Sequence, residues 1–585
     1  MDVKTLSRYL EKLEKTTSRN EITAILADLF ARASGDEIDK ICYLLLGRLA
    51  PQYRSIEFNL AEKMMIRVLA FAFKKSEEEI KESFKKAGDL GNVAFNLTNL
   101  SNLNNPSNLP VTQLYRQLLL IAQQTGPGSQ ERKIKLLAQL INQLDPLTNK
   151  YVVRIPIGKL RLGFSDITIL DALSWMKTKD KSLRPILEQA YNISADIGLV
   201  AKTFKRGGLK AIQKIKPQVG IPIRPALTER LPTAEKIIEK MGQPAVEPKY
   251  DGFRVQIHLD RRRTFEETQN ALFDPRGSFV RIFSRRLENI TAMFPEIVAA
   301  VQKLPLESAI FDGEAIGIDP KTGHFLPFQE TAQRKRKYQI AQAAQKIPLR
   351  VYLFDLLYLN NRSLLDQPLR ARRQQLEVCL QKAGTTLQLT PQKIVSQAEE
   401  LDQLFHHWVN QGLEGVVCKK TNSSYRAGKR EFVWVKYKRA MKSQLADTVD
   451  CLVMGYYRGR GKRSSFGIGA FLVGIWNPKK ETFVTIAKIG TGLTDNQWRE
   501  IRQKVDLIRV AEKPKEYQVP KELAPDVWAN PEIVVEIEAD EITKSPIHTS
   551  QFALRFPRMK RFRAKKPTDI TSLLEIKELF KMQPR

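Results

Sequence analysis

The sequence predicts a multidomain chain: an all-α domain over 1–218, an α+β domain over 219–442 and a small β-barrel over 443–585. Three observations lead there. With 585 residues, the chain exceeds one hydrophobic core and suits roughly three or four domains. Apolar residues recur at helical spacing up to the proline-rich run GIPIRPALTERLP, which starts at Gly220. Beyond that run alternating strand patterns take over, first mixed with helices and then, from Asp447, almost alone.

The helical part opens with cap chemistry. Thr17, Ser18 and Asn20 precede EITAILADLFARA, whose apolar residues share one helix face. FNLAEKMMIRVLAFAF, VTQLYRQLLLIAQQ and ERKIKLLAQLINQL follow the same rule, separated by NNPSNLP and TGPGS. A small echo runs through this part: DLGNVA, Asp89 to Ala94, returns as DIGLVA, Asp196 to Ala201. A helix start with a close glycine is a natural docking point for a phosphate; it is equally an ordinary helix start. Between the two lies GKLRLGFSD, where Lys159 and Arg161 alternate with Leu160 and Leu162. That alternation reads as a short extended basic ribbon.

The middle part carries FRVQIHLD, FVRIFS, AIFDGEAIGI, LRVYLFDLLYL and GVVCKK as strands, with AEELDQLFHHWVNQ as a helix. The last part reads as short strands again, in TVDCLVMGYY, GAFLVGIWN, TFVTIAKIG and IVVEIEADEI, closed by a helix in DITSLLEIKELF. Strands of that length punctuated by glycines suit a barrel of the oligonucleotide-binding (OB) type.

Composition excludes several classes. The chain is 42% hydrophobic and 27% charged, as globular proteins are. No apolar run approaches the ~20 residues that span a bilayer, and MDVKTLSRYLEKLEK lacks a secretory apolar region. A soluble intracellular protein with no membrane partner is expected. The four cysteines, Cys42, Cys379, Cys418 and Cys451, are scattered, which argues against a zinc site and against a disulfide framework. The net charge of +31 points to a polyanionic partner. RGRGKR, from Arg458, and RFPRMKRFRAKK, from Arg555, concentrate that charge, and the second interleaves Phe556 and Phe562. Cations for phosphates and aromatic faces for bases are what nucleic acids bind.

The chemistry centres on EPKYDGFR, Glu247 to Arg254. A lysine amine attacks poorly at neutral pH because it is protonated, with a reference pKa of ~10.4. Neighbouring cations and desolvation activate it. Arg254, Lys436 and Lys438 are the candidates for that field, and Gly252 permits the turn that aims Lys249 inward. Alone the stretch fits a strand-entry turn with a salt bridge somewhat better. FSRRLENIT with Arg285, FDGEA with Glu314, FDLLYL with Phe354, EGVVCK with Glu414 and WVKYK follow it in order. That ordered co-occurrence raises the catalytic reading.

These blocks resemble, in order and chemistry, the nucleotidyltransferase motifs of ATP-dependent DNA ligases, among the covalent nucleotidyltransferases. The resemblance covers nearly the whole chain: the first part looks like the ligase helical DNA-binding domain and the last like its OB domain. It implies that Lys249 attacks the α-phosphate of ATP to give lysyl-AMP. It implies that Glu247 reads the adenine amino group, Phe354 stacks on the base, and Arg254 and Glu314 hold the ribose side. Arg285 would contact the nucleotide and then the 5′-phosphate of the nick. Arg430, Lys436 and Lys438 would hold phosphates, and Arg555 and Arg558 the leaving pyrophosphate. Glu314 and Glu414 are the candidate Mg²⁺ ligands. The expected partner is nicked double-stranded DNA, with a sliding clamp as a further candidate. The expected setting is a monomer in the cytoplasm, associated with the nucleoid. Two departures stand out: DRRRTFEETQNALFDPRGSF, Asp260 to Phe279, is long for the hairpin it occupies, and Arg439 stands where an acid is expected. An RNA ligase, a GTP-using capping enzyme and a catalytically inactive nucleic-acid clamp remain open as alternatives.

Overall fold

The computed structural model describes residues 1–100, 108–160, 162–262, 279–336, 338–438, 448–459 and 467–583. Most of the long 260–279 segment, Arg161, most of the RGRGKR cluster and Arg439 lie outside them. The chain divides into two compact units, Met1–Lys75 with Ala94–Arg439, and Ser76–Val93 with Ala440–Arg585. Among the described residues no helix is long and apolar enough to cross a membrane.

Residues up to Ile212 are helical, and the caps explain where helices begin. Ser18 accepts from the Glu21 amide and starts the helix Arg19–Arg32. The helix expected from Phe58 starts only at Glu62 and runs to Phe73. The DIGLVA turn shows why its glycine is there. Asp196 caps the helix Ile197–Ile212 by accepting from the Leu199 amide at 2.9 Å, and accepts from the Tyr43 hydroxyl at 2.5 Å. A Cβ on Gly198 would collide with the Tyr43 ring. This helix end already holds a carboxylate, and the glycine serves ring packing, so the phosphate-docking reading of this turn is corrected. Gly198→Ala is expected to cost about 1–3 kcal/mol through overpacking, measured as a lower denaturant midpoint.

Two sheets form the middle of the first unit. Their strands are β1 (Leu227–Arg230), β2 (Pro244–Lys249), β3 (Phe253–Asp260), β4 (Phe279–Ser284), β5 (Ser308–Gly317), β6 (Leu349–Leu359), β7 (Arg362–Ser363), β8 (Leu387–Leu389), β9 (Lys393–Ile394), β10 (Gly415–Lys420) and β11 (Arg430–Lys438). One sheet has the order β1-β11-β10-β2-β9, the other β4-β3-β5-β6-β7 with β8 beside β6. The chain crosses from the first sheet to the second in the three residues between Lys249 and Phe253.

The alternation of FRVQIHLD has an unexpected cover. Phe253, Val255, Ile257 and Leu259 enter the apolar core. The opposite face, with Gln256 and His258, is also buried. The proline-rich segment from Gly220 lies over it. The Gly220 amide donates to His258 Nδ1 at 3.0 Å, the Ile223 amide donates to Gln256 Oε1 at 2.8 Å, and Gln256 Nε2 donates to the Ile223 carbonyl at 3.0 Å. A strand with a polar face is normally solvated there. Here its side chains satisfy an irregular segment whose prolines limit its own backbone bonding.

In the second unit β12 (Val449–Arg458), β13 (Ile468–Asn477) and β14 (Thr482–Ile489) form the centre of a curled antiparallel sheet with a large apolar core on one face and a smaller one on the other, consistent with an OB fold. Its acidic strand Val534–Glu538 pairs with the basic strand Arg558–Arg563. Arg558 pairs with Asp540 at 2.6 Å, Arg561 with Glu536 at 2.6 Å and Arg555 with Glu541 at 2.7 Å. The basic run seen in the sequence is thus partly neutralised within its own unit, and Arg555 and Arg558 are already partnered.

Candidate active site

A cavity of about 720 Å³ opens where the two sheets meet, lined by the site residues the sequence singled out in this unit: Glu247, Lys249, Arg254, Arg285, Glu314, Phe354, Glu414, Arg430, Lys436 and Lys438. Strand alternation places them. On β2, Glu247, Pro248 and Lys249 line the cavity, while Val246, the residue before them, faces the core. On β11, Trp434, Lys436 and Lys438 face the cavity and Val435 and Tyr437 the core. Cys418 on β10 is a fully buried thiol of that core, as its apolar position predicts.

Lys249 ends β2 opposite Gly415. The Glu414 amide donates to the Lys249 carbonyl at 3.2 Å, and the Glu414 carboxylate pairs with the lysine amine. The amine's direct partner is therefore an anion, and Arg254 is not a free cation beside it. Arg254 is bound to Asp312, Nε to Oδ1 at 2.9 Å and Nη2 to Oδ2 at 2.6 Å, and Nη1 donates to the Ala226 carbonyl at 2.7 Å. Of the three cations expected to supply the field at Lys249, Arg254 is thus neutralised by Asp312, while Lys436 and Lys438 share the cavity with the amine. Cations do gather on β11: the Lys436 amine is held below its ordinary pKa by burial, then by Lys438, Arg430 and Lys249.

Gly252 is also corrected. Its φ is not in the left-handed region; a Cβ there would strike the Ala315 carbonyl on β5. Close approach of backbone to backbone, not turn strain, demands glycine.

The deep end of the cavity is a buried polar pair under aromatic rings. Glu247 is 2% exposed and Lys419 is 1% exposed. They pair at 2.6 Å, and Gln392 Nε2 donates to Glu247 Oε1 at 2.7 Å. The Lys419 amine lies 4.5 Å from the Phe354 ring centre and 4.3 Å from that of Trp434. Sequence reading missed Lys419, Gln392, Asp312 and Tyr425. Lys419 stood inside EGVVCK as a strand residue, and its burial with a carboxylate follows only from β10 lying beside β2.

Residues 2–174 match the model of the DNA ligase N terminus, 225–438 that of the ATP dependent DNA ligase domain, and 464–566 that of the ATP dependent DNA ligase C terminal region. A probable DNA ligase of Dictyoglomus thermophilum is 46% identical over 99% of this chain and 97% of its own length. The chain belongs to the ATP-dependent DNA ligase family. A DNA ligase of Sulfurisphaera tokodaii is 38% identical over 100% of this chain and 98% of its own. A solved structure named Pmar-Lig_PreS3 shares the fold, with a TM-score of 0.55 at 18% identity over 96% of this chain and 99% of that one. This ligase therefore uses ATP and acts on DNA, and the sealing of nicks is the reaction of its family.

In this ligase Glu314 has the clearest pH signature. Burial, with the charge of Asp312 adding, lifts its carboxyl to about 7 against the opposing fields of Lys249, Arg254 and Arg285. The folded value lies above the ordinary one, so ionisation opposes folding. The cost is absent below the ordinary carboxyl pKa, grows as pH rises towards about 7, and is complete above it. Glu314→Gln is expected to stabilise the ligand-free protein at pH 8 by about 1–3 kcal/mol and to leave it unchanged at pH 4. Denaturant titrations at the two pH values measure this.

Proposed function

We propose that this ligase seals nicks through Lys249, with the remaining cavity residues divided between base, sugar and phosphates. The observation that carries the reading is the place of Lys249. It stands between a buried base pocket made by Glu247, Lys419, Phe354 and Trp434, and the cationic strand carrying Arg430, Lys436 and Lys438. A purine entering between the rings meets Glu247 as a hydrogen-bond acceptor, which suits the adenine amino group. Lys419 fixes that carboxylate through their ion pair. The phosphates then extend towards β11, where point charges and a bidentate arginine neutralise them.

In the first step the Lys249 ammonium gives one proton to Glu414, its Nζ attacks the α-phosphorus, and a second proton passes to water as the phosphoramidate forms. An N–P bond forms, the bond from that phosphorus to the bridging oxygen breaks, and pyrophosphate leaves. In the second step an oxygen of the nick's 5′-phosphate attacks the same phosphorus, the N–P bond breaks, and the nitrogen regains its two protons from Glu414 and water. In the third the 3′-hydroxyl attacks the adenylated 5′-phosphate, loses its proton, and AMP leaves. The chain's part is positioning and charge neutralisation.

Glu314 and Glu414 also fit a magnesium ion. They are two hard oxygen donors on one cavity, short of a three-residue ligand cluster among the described residues, so such an ion would keep water and substrate oxygens. When bound it supplies neutralisation of phosphate charge.

The test is covalent labelling. The protein is incubated with each nucleoside triphosphate and Mg²⁺, and its intact mass is read. ATP should add one AMP, and nicked DNA should then remove it with formation of a sealed strand. A label from GTP alone would turn the reading to a capping-type enzyme, and no label with any nucleotide would leave a nucleic-acid clamp.

A further inference from the structure

The cations of the cavity fall into three sets. Lys249, Arg254 and Lys419 are paired with Glu414, Asp312 and Glu247. Arg430, Lys436 and Lys438 belong to β11. Arg285 and Arg286 follow β4, and Lys335 arrives on a separate segment that the sequence motifs do not mark.

That segment is anchored along its length. The Phe328 amide donates to Asp251 Oδ2 at 3.2 Å, beside the Lys249 turn. The Thr331 hydroxyl accepts from the Gly317 amide at 3.1 Å, at the end of β5. Arg334 is wholly buried, pairs with Glu296 and lies 5.5 Å from the Phe294 ring centre. With Arg334 fixed in the core, the next side chain turns to the cavity. The Lys335 amine sits 4.7 Å from the centre of the Phe253 ring, and among the described residues no carboxylate pairs with it. Desolvation lowers its pKa, Glu288 and Glu314 oppose this, and Arg286 adds to it. The charges that reach Lys335 are thus those beside Arg285, whereas those that reach Lys436 are Lys438, Arg430, Lys249 and Arg230. The cavity has two cationic walls.

One lysine nucleophile must meet two anions in turn, the triphosphate and the nick. The β11 wall adjoins Lys249 and takes the first. We propose that Lys335, together with Arg285 and Arg286, holds the 5′-phosphate of the nicked strand, and so serves AMP transfer rather than self-adenylation. An amine over an aromatic ring, without a carboxylate of its own, is a ready point charge for a terminal phosphate. The inference rests on the reading of Lys249 as the adenylated residue.

The test resolves the steps in the full-length protein. Lys335→Met should slow AMP transfer from the adenylated protein to a 5′-phosphorylated nick by about 10- to 100-fold, with a far smaller effect on lysyl-AMP formation. Binding should lose its preference for a 5′-phosphate nick over a 5′-hydroxyl nick, and the salt slope of binding should fall by about 0.9. Lys335→Arg should restore all three, which a folding defect would not allow. A variant slowed equally in lysyl-AMP formation, or one whose 5′-phosphate preference and salt slope are unmoved, overturns the inference. Absence of lysyl-AMP in the unmodified protein would overturn the underlying reading and this inference with it.

Discussion

Lys249→Ala should abolish lysyl-AMP formation and lower ATP-driven nick sealing by at least ~10⁴-fold, the scale of removing a covalent nucleophile. The same variant should still close a nick whose 5′-phosphate is already adenylated, with a loss below ~100-fold. The third step uses the 3′-hydroxyl as nucleophile and needs the lysine only as a nearby charge. Lys249→Arg sharpens the test. It keeps the cation beside Glu414, yet a guanidinium does not give up its proton, so it should fail in the first step and serve better than alanine in the third. Equal loss of both activities in both variants would mean that Lys249 supports the fold, not the bond exchange. Glu414→Gln separates proton acceptance from packing: it should slow lysyl-AMP formation most at low pH, where fewer amines are free.

The sequence made this site legible because strands are short codes. Alternation in WVKYK and in GVVCKK states which residues share a face, and the ordered motifs state the chemistry. What remained hidden depends on strand order. Lys419 becomes the partner of Glu247 only because β10 lies next to β2. Asp312 stood in FDGEA beside Glu314, and sequence reading gave the role to Glu314 alone. Only the pairing of β3 with β5 brings Asp312 onto the face of Arg254. The proline-rich run at Gly220 looked like a boundary because prolines break periodicity. It is also hydrogen-bonded to side chains of β3, a partnership that no local pattern announces. Gly198 and Gly252 were visible as glycines, but the atoms that crowd them, the Tyr43 ring and the Ala315 carbonyl, are distant in sequence.

Asp312→Ala should be among the most destabilising single changes in the molecule. Asp312 is fully buried, holds Arg254 through two bonds, and accepts from the Tyr425 hydroxyl at 2.7 Å. Removing it strands a guanidinium in a largely desolvated place, a loss of about 3–5 kcal/mol. The same pair contributes little net stability when compared with two apolar groups of equal volume. The double variant Asp312→Leu with Arg254→Met should therefore recover much of the stability lost in the single variant, as read from denaturant unfolding. It should not recover self-adenylation. Arg254 lies 5.4 Å from the Phe354 ring centre and 5.5 Å from that of Trp434, so the pair holds a cation against the rings proposed to bind the base. Stability restored without activity would assign the pair to the site. Recovery of both would show it to be scaffold, and Arg254 would then lose its place among the nucleotide-binding residues.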